Sequence, residues 1–198
     1  MPISNKLAYE LRPITLADNQ AIKALIKTVL TEFGATGTGF AGADQELNDM
    51  YHAYLNKGCV YYVVLIDGRL VGGGGIAPLQ GLEPTPGHSI DPMPCIGPIE
   101  GAVPSVSTAF NTALVSICEL RKMYFHPEAR GLGLGKQLLS HCLSVARAIG
   151  YQTVYLETLH NMKAAQQLYR RFGFQPLAQP WGNTGHHGCD LWYALSLS

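Results

Sequence analysis

Charge is scarce in this 198-residue chain. Only 14% of its residues are Asp, Glu, Lys or Arg, and 14 basic residues balance 14 acidic ones. With no excess of cations to release counterions, it is not a general polyanion binder, and nucleic acid is not an expected partner. Long apolar runs are missing too. None approaches the ~20 residues that a spanning helix needs, so no membrane partner is expected. The opening MPISNKLAYELRP has no basic flank followed by an apolar run, so no secretory leader is expected. Cysteines are few: Cys59, Cys95, Cys118, Cys142 and Cys189 are scattered, odd in number and form no CxxC. Neither a disulfide framework nor a zinc ribbon is implied, and a reducing cytoplasm is the expected setting.

Apolar residues, by contrast, make up 47% of the chain, which excludes wholesale disorder. A chain of this length buries roughly 70% of its unfolded surface, enough for one compact domain. Residues 1–198 are therefore read as a single domain.

Leu7 to Pro13 reads as a short strand. Thr15 and Asp18 resemble a capping box, and Ile22, Leu25, Ile26, Val29, Leu30 and Phe33 then recur at helical spacing, with Gly34 as the stop. Leu47, Met50, Tyr51 and Tyr54 predict a second amphipathic helix. Cys59 to Ile66 and Arg69 to Ala77 flank Asp67-Gly68, a strong hairpin signal. The run Gly72 to Gly75 implies a bulge or close backbone approach in the second of these strands. Pro78 to Val103 is rich in Pro and Gly without a period, and reads as part of an insertion spanning about 78–111. Thr112 to Phe125 is strand-like, Gly133 to Ile149 a helix, Thr153 to Glu157 a strand and Met162 to Phe172 a helix. Phe174 to Leu177 and Cys189 to Leu197 are the expected last strands. Strand, helix and strand between Thr112 and Glu157 suggest a parallel crossover; the remaining strands can be antiparallel.

The segment MYFHPEARGLGLGKQLL carries the chemistry. A strand ends at Phe125, His126-Pro127-Glu128 turns the chain, and Arg130, Gly131, Leu132, Gly133, Leu134, Gly135 and Lys136 open a long helix. Helix N-termini carry unpaired N–H groups and partial positive charge, and glycine there admits a phosphate close to the backbone. Arg130 and Lys136 add full charges. This is the pattern of a diphosphate site. It is not a P-loop, because Arg130 and Gln137 stand where Gly and Ser or Thr are required, and a dinucleotide fingerprint fails at Leu138.

Arg130-x-x-Gly133-x-Gly135 after a strand resembles the (Q/R)xxGx(G/A) signature of the GNAT superfamily of acetyl-CoA-dependent acyltransferases. Leu168-Tyr169-Arg170-Arg171-Phe172-Gly173-Phe174 resembles that family's LYxxxGF segment. The resemblance covers Glu119 to Phe174. It implies an α/β fold: a GNAT-like mixed, mostly antiparallel twisted sheet, splayed beside the cofactor strand, flanked by helices, with a parallel β-α-β cofactor-binding crossover. It also implies an N-acetyltransferase that moves an acetyl group from acetyl-CoA to an amine of a small molecule or protein. Main-chain groups of Met123, Tyr124 and Phe125 would meet the pantetheine arm, and residues Arg130 through Lys136 the diphosphate. Tyr169 would protonate the departing thiolate, and Glu119 would serve as general base, with Glu157 its rival. Counted without a bulge, Glu119 shares a strand face with Arg121, Met123 and Phe125; in this family a bulge is common there. The family's cofactor-contacting Asn falls on Met162, which leaves Asn161, one residue off, as the substitute.

The tail Trp181 to Asp190 gathers His186, His187, Cys189 and Asp190. These are ligand types, but adjacent histidines diverge in an extended chain, so no metal site is expected and a loop bordering the acceptor is the better reading. The Gly34 to Ala43 loop and the Pro/Gly-rich insertion would supply the opposite wall, and Trp181, Phe40 and Tyr51 apolar surface. Cys118 and Cys142 read as core. The rival class is a non-catalytic acyl-CoA-binding or sensing module. Oligomeric state is open, a homodimer included.

Overall fold

The computed structural model describes residues 8–81 and 117–197. The chain order is β1 (Glu10–Pro13), α1 (Asn19–Glu32), α2 (Met50–Ala53), β2 (Val60–Ile66), β3 (Arg69–Pro78), β4 (Ile117–Phe125), α3 (Leu134–Ile149), β5 (Thr153–Thr158), α4 (Lys163–Arg171), β6 (Gln175–Leu177) and β7 (Leu191–Ser196). Leu7, the strand start at 112–116 and nearly all of the 78–111 insertion lie outside the described residues. Among the described residues no helix is long and apolar enough to cross a membrane.

Local chemistry explains most element ends. The Asp18 carboxylate accepts from Thr15 N and Oγ1 at 2.8 and 2.7 Å, completing the cap ahead of α1. Asp67 and Gly68 both take positive φ, 49° and 74°, as the tight β2–β3 turn requires. The predicted second helix is broken. A 3-10 turn at Gln45–Asn48 gives way to the single turn of α2, and Asp49 between them leaves helical geometry at φ −153° and ψ 74°. Its carboxylate accepts from the His52 N–H and the Asn19 side chain instead. An Asp in a helix interior competes with the backbone in this way, and capping wins. Leu47, Met50 and Tyr54 are still buried.

The strands form one sheet in the order β1-β2-β3-β4-β5-β7-β6. Only β4 and β5 pair in parallel, across the α3 crossover; the other pairs are antiparallel. One face packs on α3 and α4 through Leu138, Leu139, Cys142, Val154 and Phe174, and the other on α1 through Ile22, Leu25, Ile26 and Val63. The β3 glycines permit close packing. A Cβ on Gly72 would lie 2.2 Å from the Phe125 ring, and one on Gly75 would lie 2.3 Å from the Val60 carbonyl.

β4 carries a bulge. Gly73 pairs with Tyr124 and Gly75 with Arg121, so Lys122 and Met123 together oppose Gly74, and Lys122 takes φ 50°. The extra residue reverses the side-chain alternation. Tyr124 joins the α1-side core, to which Glu119 and Arg121 also face, whereas Met123 and Phe125 join the α3 side. The bulge-free count that grouped Glu119 with Met123 and Phe125 is thereby corrected.

Candidate active site

β4 and β5 pair only from Ile117–Thr153 to Glu119–Tyr155. Beyond that point β4 runs on beside β3 and β5 runs on beside β7. The sheet therefore splays, and the edge of β4 from Leu120 to Phe125 faces the gap. Met123, Tyr124, Glu157, Thr158, Leu159 and Tyr169 line a pocket in this gap, together with Glu119.

Below the splay, β4 leads through the 3-10 turn Pro127–Ala129 into α3. The Arg130 N–H closes that turn on the Pro127 carbonyl at 3.1 Å, and the first intrahelical bond is Gln137 N–H to Gly133 O at 3.2 Å. Between them the N–H groups of Gly131 through Lys136 have no backbone acceptor among the described residues. Gly131 and Gly133 take φ 78° and 80°, and nothing lies within 4 Å of where their Cβ atoms would be. An open, amide-lined helix start of this kind fits a diphosphate. Gly135 differs: its Cβ would rest in ordinary contact with Leu168, Met123 and Phe125. Lys136 is exposed beside the amides. The Arg130 side chain turns elsewhere. Its guanidinium holds both oxygens of Glu32 at 2.6 and 2.8 Å, donates to Phe125 O and lies over the Phe33 ring. Asn161 likewise donates its side-chain N–H to Phe33 O at 3.0 Å. Both side chains tie the splayed end of the sheet to α1.

Tyr169 is buried against Phe174 and Tyr193 and lines the pocket, and its hydroxyl has no hydrogen-bond partner among the described residues. Burial pushes its phenol well up, so it carries its proton at neutral pH. Glu119 is 4% exposed, with Arg121 Nε 3.3 Å away and His186 Nδ1 3.9 Å away. Burial raises its pKa, against the pull of Arg121 and His186. The Glu157 carboxylate shares the pocket and accepts from Tyr155 Oη at 2.7 Å and Thr184 Oγ1 at 3.0 Å, both on one oxygen.

Two loops wall the far end of the pocket. The 36–44 loop brings Phe40, Ala41 and Asp44, and the loop before β7 brings His186 and Cys189. They are joined by Gly188 N–H to Gly39 O at 3.0 Å and by His186 Nε2 to Asp44 Oδ2 at 3.0 Å. Lys122 on the bulge is fully buried and pairs with Asp44 and Glu46. Sequence reasoning missed Asp44, Glu46 and Lys122, because each depends on contacts across more than seventy residues. Trp181 stacks on Tyr155 and Tyr51 packs in the α1-side core, so neither lines the pocket. The four ligand-type residues of the tail diverge: His186 to Asp44, His187 against Gly39, Cys189 into the pocket and Asp190 to His160. Among the described residues no cluster of three His, Cys, Asp or Glu could hold a metal. Cys118 and Cys142 are buried in the core, and burial raises both thiols, Cys142 to about 12.

The splayed parallel pair, the amide-lined turn and the pocket shared by Tyr169, Glu119 and Glu157 are the features of an acyl-CoA-dependent transferase. Residues 30–174 match the acetyltransferase (GNAT) family model. The chain is 37% identical over 182 residues to YjgM of Escherichia coli strain K12, an uncharacterized N-acetyltransferase, spanning 91% of this chain and 90% of that one. Its fold matches a GNAT-family acetyltransferase of Staphylococcus aureus Mu50 with TM-score 0.68 at 17% identity, covering 96% of this chain and all of that one. The Salmonella typhimurium acetyltransferase yncA, solved with its cofactor acetyl-CoA, matches with TM-score 0.65 at 21% identity, covering 96% and 95%. The chain belongs to the GNAT family of acetyltransferases. Acetyl-CoA is the co-substrate that accompanies this fold, and the open amides of Gly131 through Lys136 fit it.

Proposed function

We propose that this chain is one acetyltransferase domain that transfers an acetyl group from acetyl-CoA to a primary amine of a small molecule or protein, by direct attack. Acetyl-CoA supplies the acyl group as an activated thioester. The amides of Gly131 through Lys136 would hold its diphosphate, and the free β4 edge from Met123 to Phe125 would orient the pantetheine arm. Glu119 takes the proton that the attacking nitrogen must lose, as the N–C bond forms. Tyr169 gives its proton to the sulfur as the C–S bond breaks. A main-chain N–H of Met123 to Phe125 stabilises the charge growing on the carbonyl oxygen, a contribution of about 3 kcal/mol for one such donor.

The observation that carries this reading is Tyr169: a buried, protonated tyrosine, its hydroxyl unpartnered among the described residues, lining the same pocket as Glu119. The test is free-thiol release from acetyl-CoA over a panel of primary amines, with Tyr169→Phe alongside. Release with at least one amine, reduced about 10²–10⁴-fold in the variant while CoA still binds, is the expected result. Tight CoA binding without turnover on any acceptor would instead make the protein an acyl-CoA sensor.

A further inference from the structure

His186 belongs to neither sequence motif, yet it stands between two carboxylates, Asp44 of the 36–44 loop and Glu119 of β4. Its Nε2 meets Asp44 at 3.0 and 3.3 Å, and its Nδ1 lies 3.9 Å from Glu119 Oε1. An ionised carboxylate only accepts, so Asp44 takes the Nε2–H and leaves the Nδ1 lone pair turned to Glu119 in the neutral ring. Exposure rises along the row: side chains of Glu119, His186 and Asp44 are 5%, 8% and 22% accessible. The row thus leads from the buried base toward water. Other charges face it. Lys122 pairs with Asp44, Arg121 sits on Glu119, and Glu157 and the Cys189 thiol lie in the same pocket. Asp44 stays ionised in this setting; burial opposes that, but the His186 hydrogen bond and the Lys122 charge outweigh it.

We propose that His186, anchored by Asp44, is the positioning residue of the general base: it accepts at Nδ1 the proton Glu119 has taken from the acceptor amine and relays it toward solvent. The inference rests on Glu119 being that base. The proton moves from the Glu119 carboxyl to His186 Nδ1, giving an imidazolium between two carboxylates. Between turnovers the imidazolium gives its Nδ1 proton to water that enters the emptied pocket, and the Nε2–H stays on Asp44. The 3.9 Å gap closes with a small ring movement, as catalytic contacts often do once substrate is bound.

The experiment measures kcat/KM against pH for wild type, His186→Gln and His186→Ala, with CoA affinity and thermal midpoint recorded for each. Without the imidazole, Glu119 titrates alone in a buried site, so the acid limb moves to higher pH. The rate falls about a hundredfold, the low end of what a positioned proton-transfer group contributes, while CoA affinity holds. Added imidazole restores part of the His186→Ala rate. An unmoved acid limb in His186→Gln without imidazole rescue of His186→Ala would overturn the proposal, whether or not the rate drops, because a wall residue predicts only that. Glu119→Gln separates the two readings: wild-type turnover there removes the base and this relay together. A dead Glu119→Gln beside an unshifted His186→Gln and an unrescued His186→Ala removes the relay alone.

Discussion

The Tyr61 hydroxyl donates to the Lys122 carbonyl at 2.8 Å, and both residues are buried. That bond fastens β2 to the bulge of β4, across β3. Lys122 holds φ 50° there, a conformation few side chains adopt without support. Tyr61→Phe keeps the ring and leaves the carbonyl without its donor. The expected cost is about 1–3 kcal/mol, read as a lower urea midpoint at unchanged slope. Because the bulge sets which β4 groups face the splay, the KM for acetyl-CoA should rise as well. An unchanged midpoint and KM would mean that strand pairing alone holds the bulge.

How much of this could be read from residues follows how local each feature is. The Asp67-Gly68 hairpin and the glycines ahead of α3 are encoded in adjacent residues, and both stand where the pattern predicts. The bulge leaves no trace in the sequence of β4; it arises from packing against Tyr61 and from the register with Gly74. Asp44 meets His186 across 142 residues, so its part in the pocket depends on topology. Arg130 shows the opposite failure. Its position in the signature is plain, but the sequence could not reveal that Glu32, 98 residues away, would claim its charge.

Gly133 and Gly135 look alike in the motif and differ in the fold. Gly133 sits at φ 80° in open space, where a Cβ costs about 1 kcal/mol in backbone strain and stands where a phosphate would approach. Gly135 has an ordinary backbone, and its Cβ would touch Leu168 at 3.5 Å. Titration calorimetry with CoA should therefore rank the variants. Gly135→Ala binds close to wild type, Gly133→Ala binds more weakly, and Gly133→Glu does not bind, since it adds bulk and negative charge at the amides. Equal binding by Gly133→Glu and wild type would remove the diphosphate from this turn.

Asp18 offers a test of the fold apart from the reaction. Its carboxylate is gripped by Arg12 at 2.6 and 2.9 Å and by Thr15, and these partners lower its pKa from 3.8 to about 2. A carboxyl depressed on folding stabilises the native state above its unfolded value, and that stability is lost as pH falls through the folded one. Asp18→Asn should thus cost about 1–2 kcal/mol at neutral pH, allowing for the partly exposed Arg12. The gap between variant and wild type should shrink between about pH 4 and pH 2, the window bounded by the two pKa values, as the wild-type carboxyl takes up its proton. Urea unfolding at a series of pH values reads that gap directly. A difference that stayed constant across the window would assign the loss to the altered cap and leave the Arg12 ion pair without a share in it.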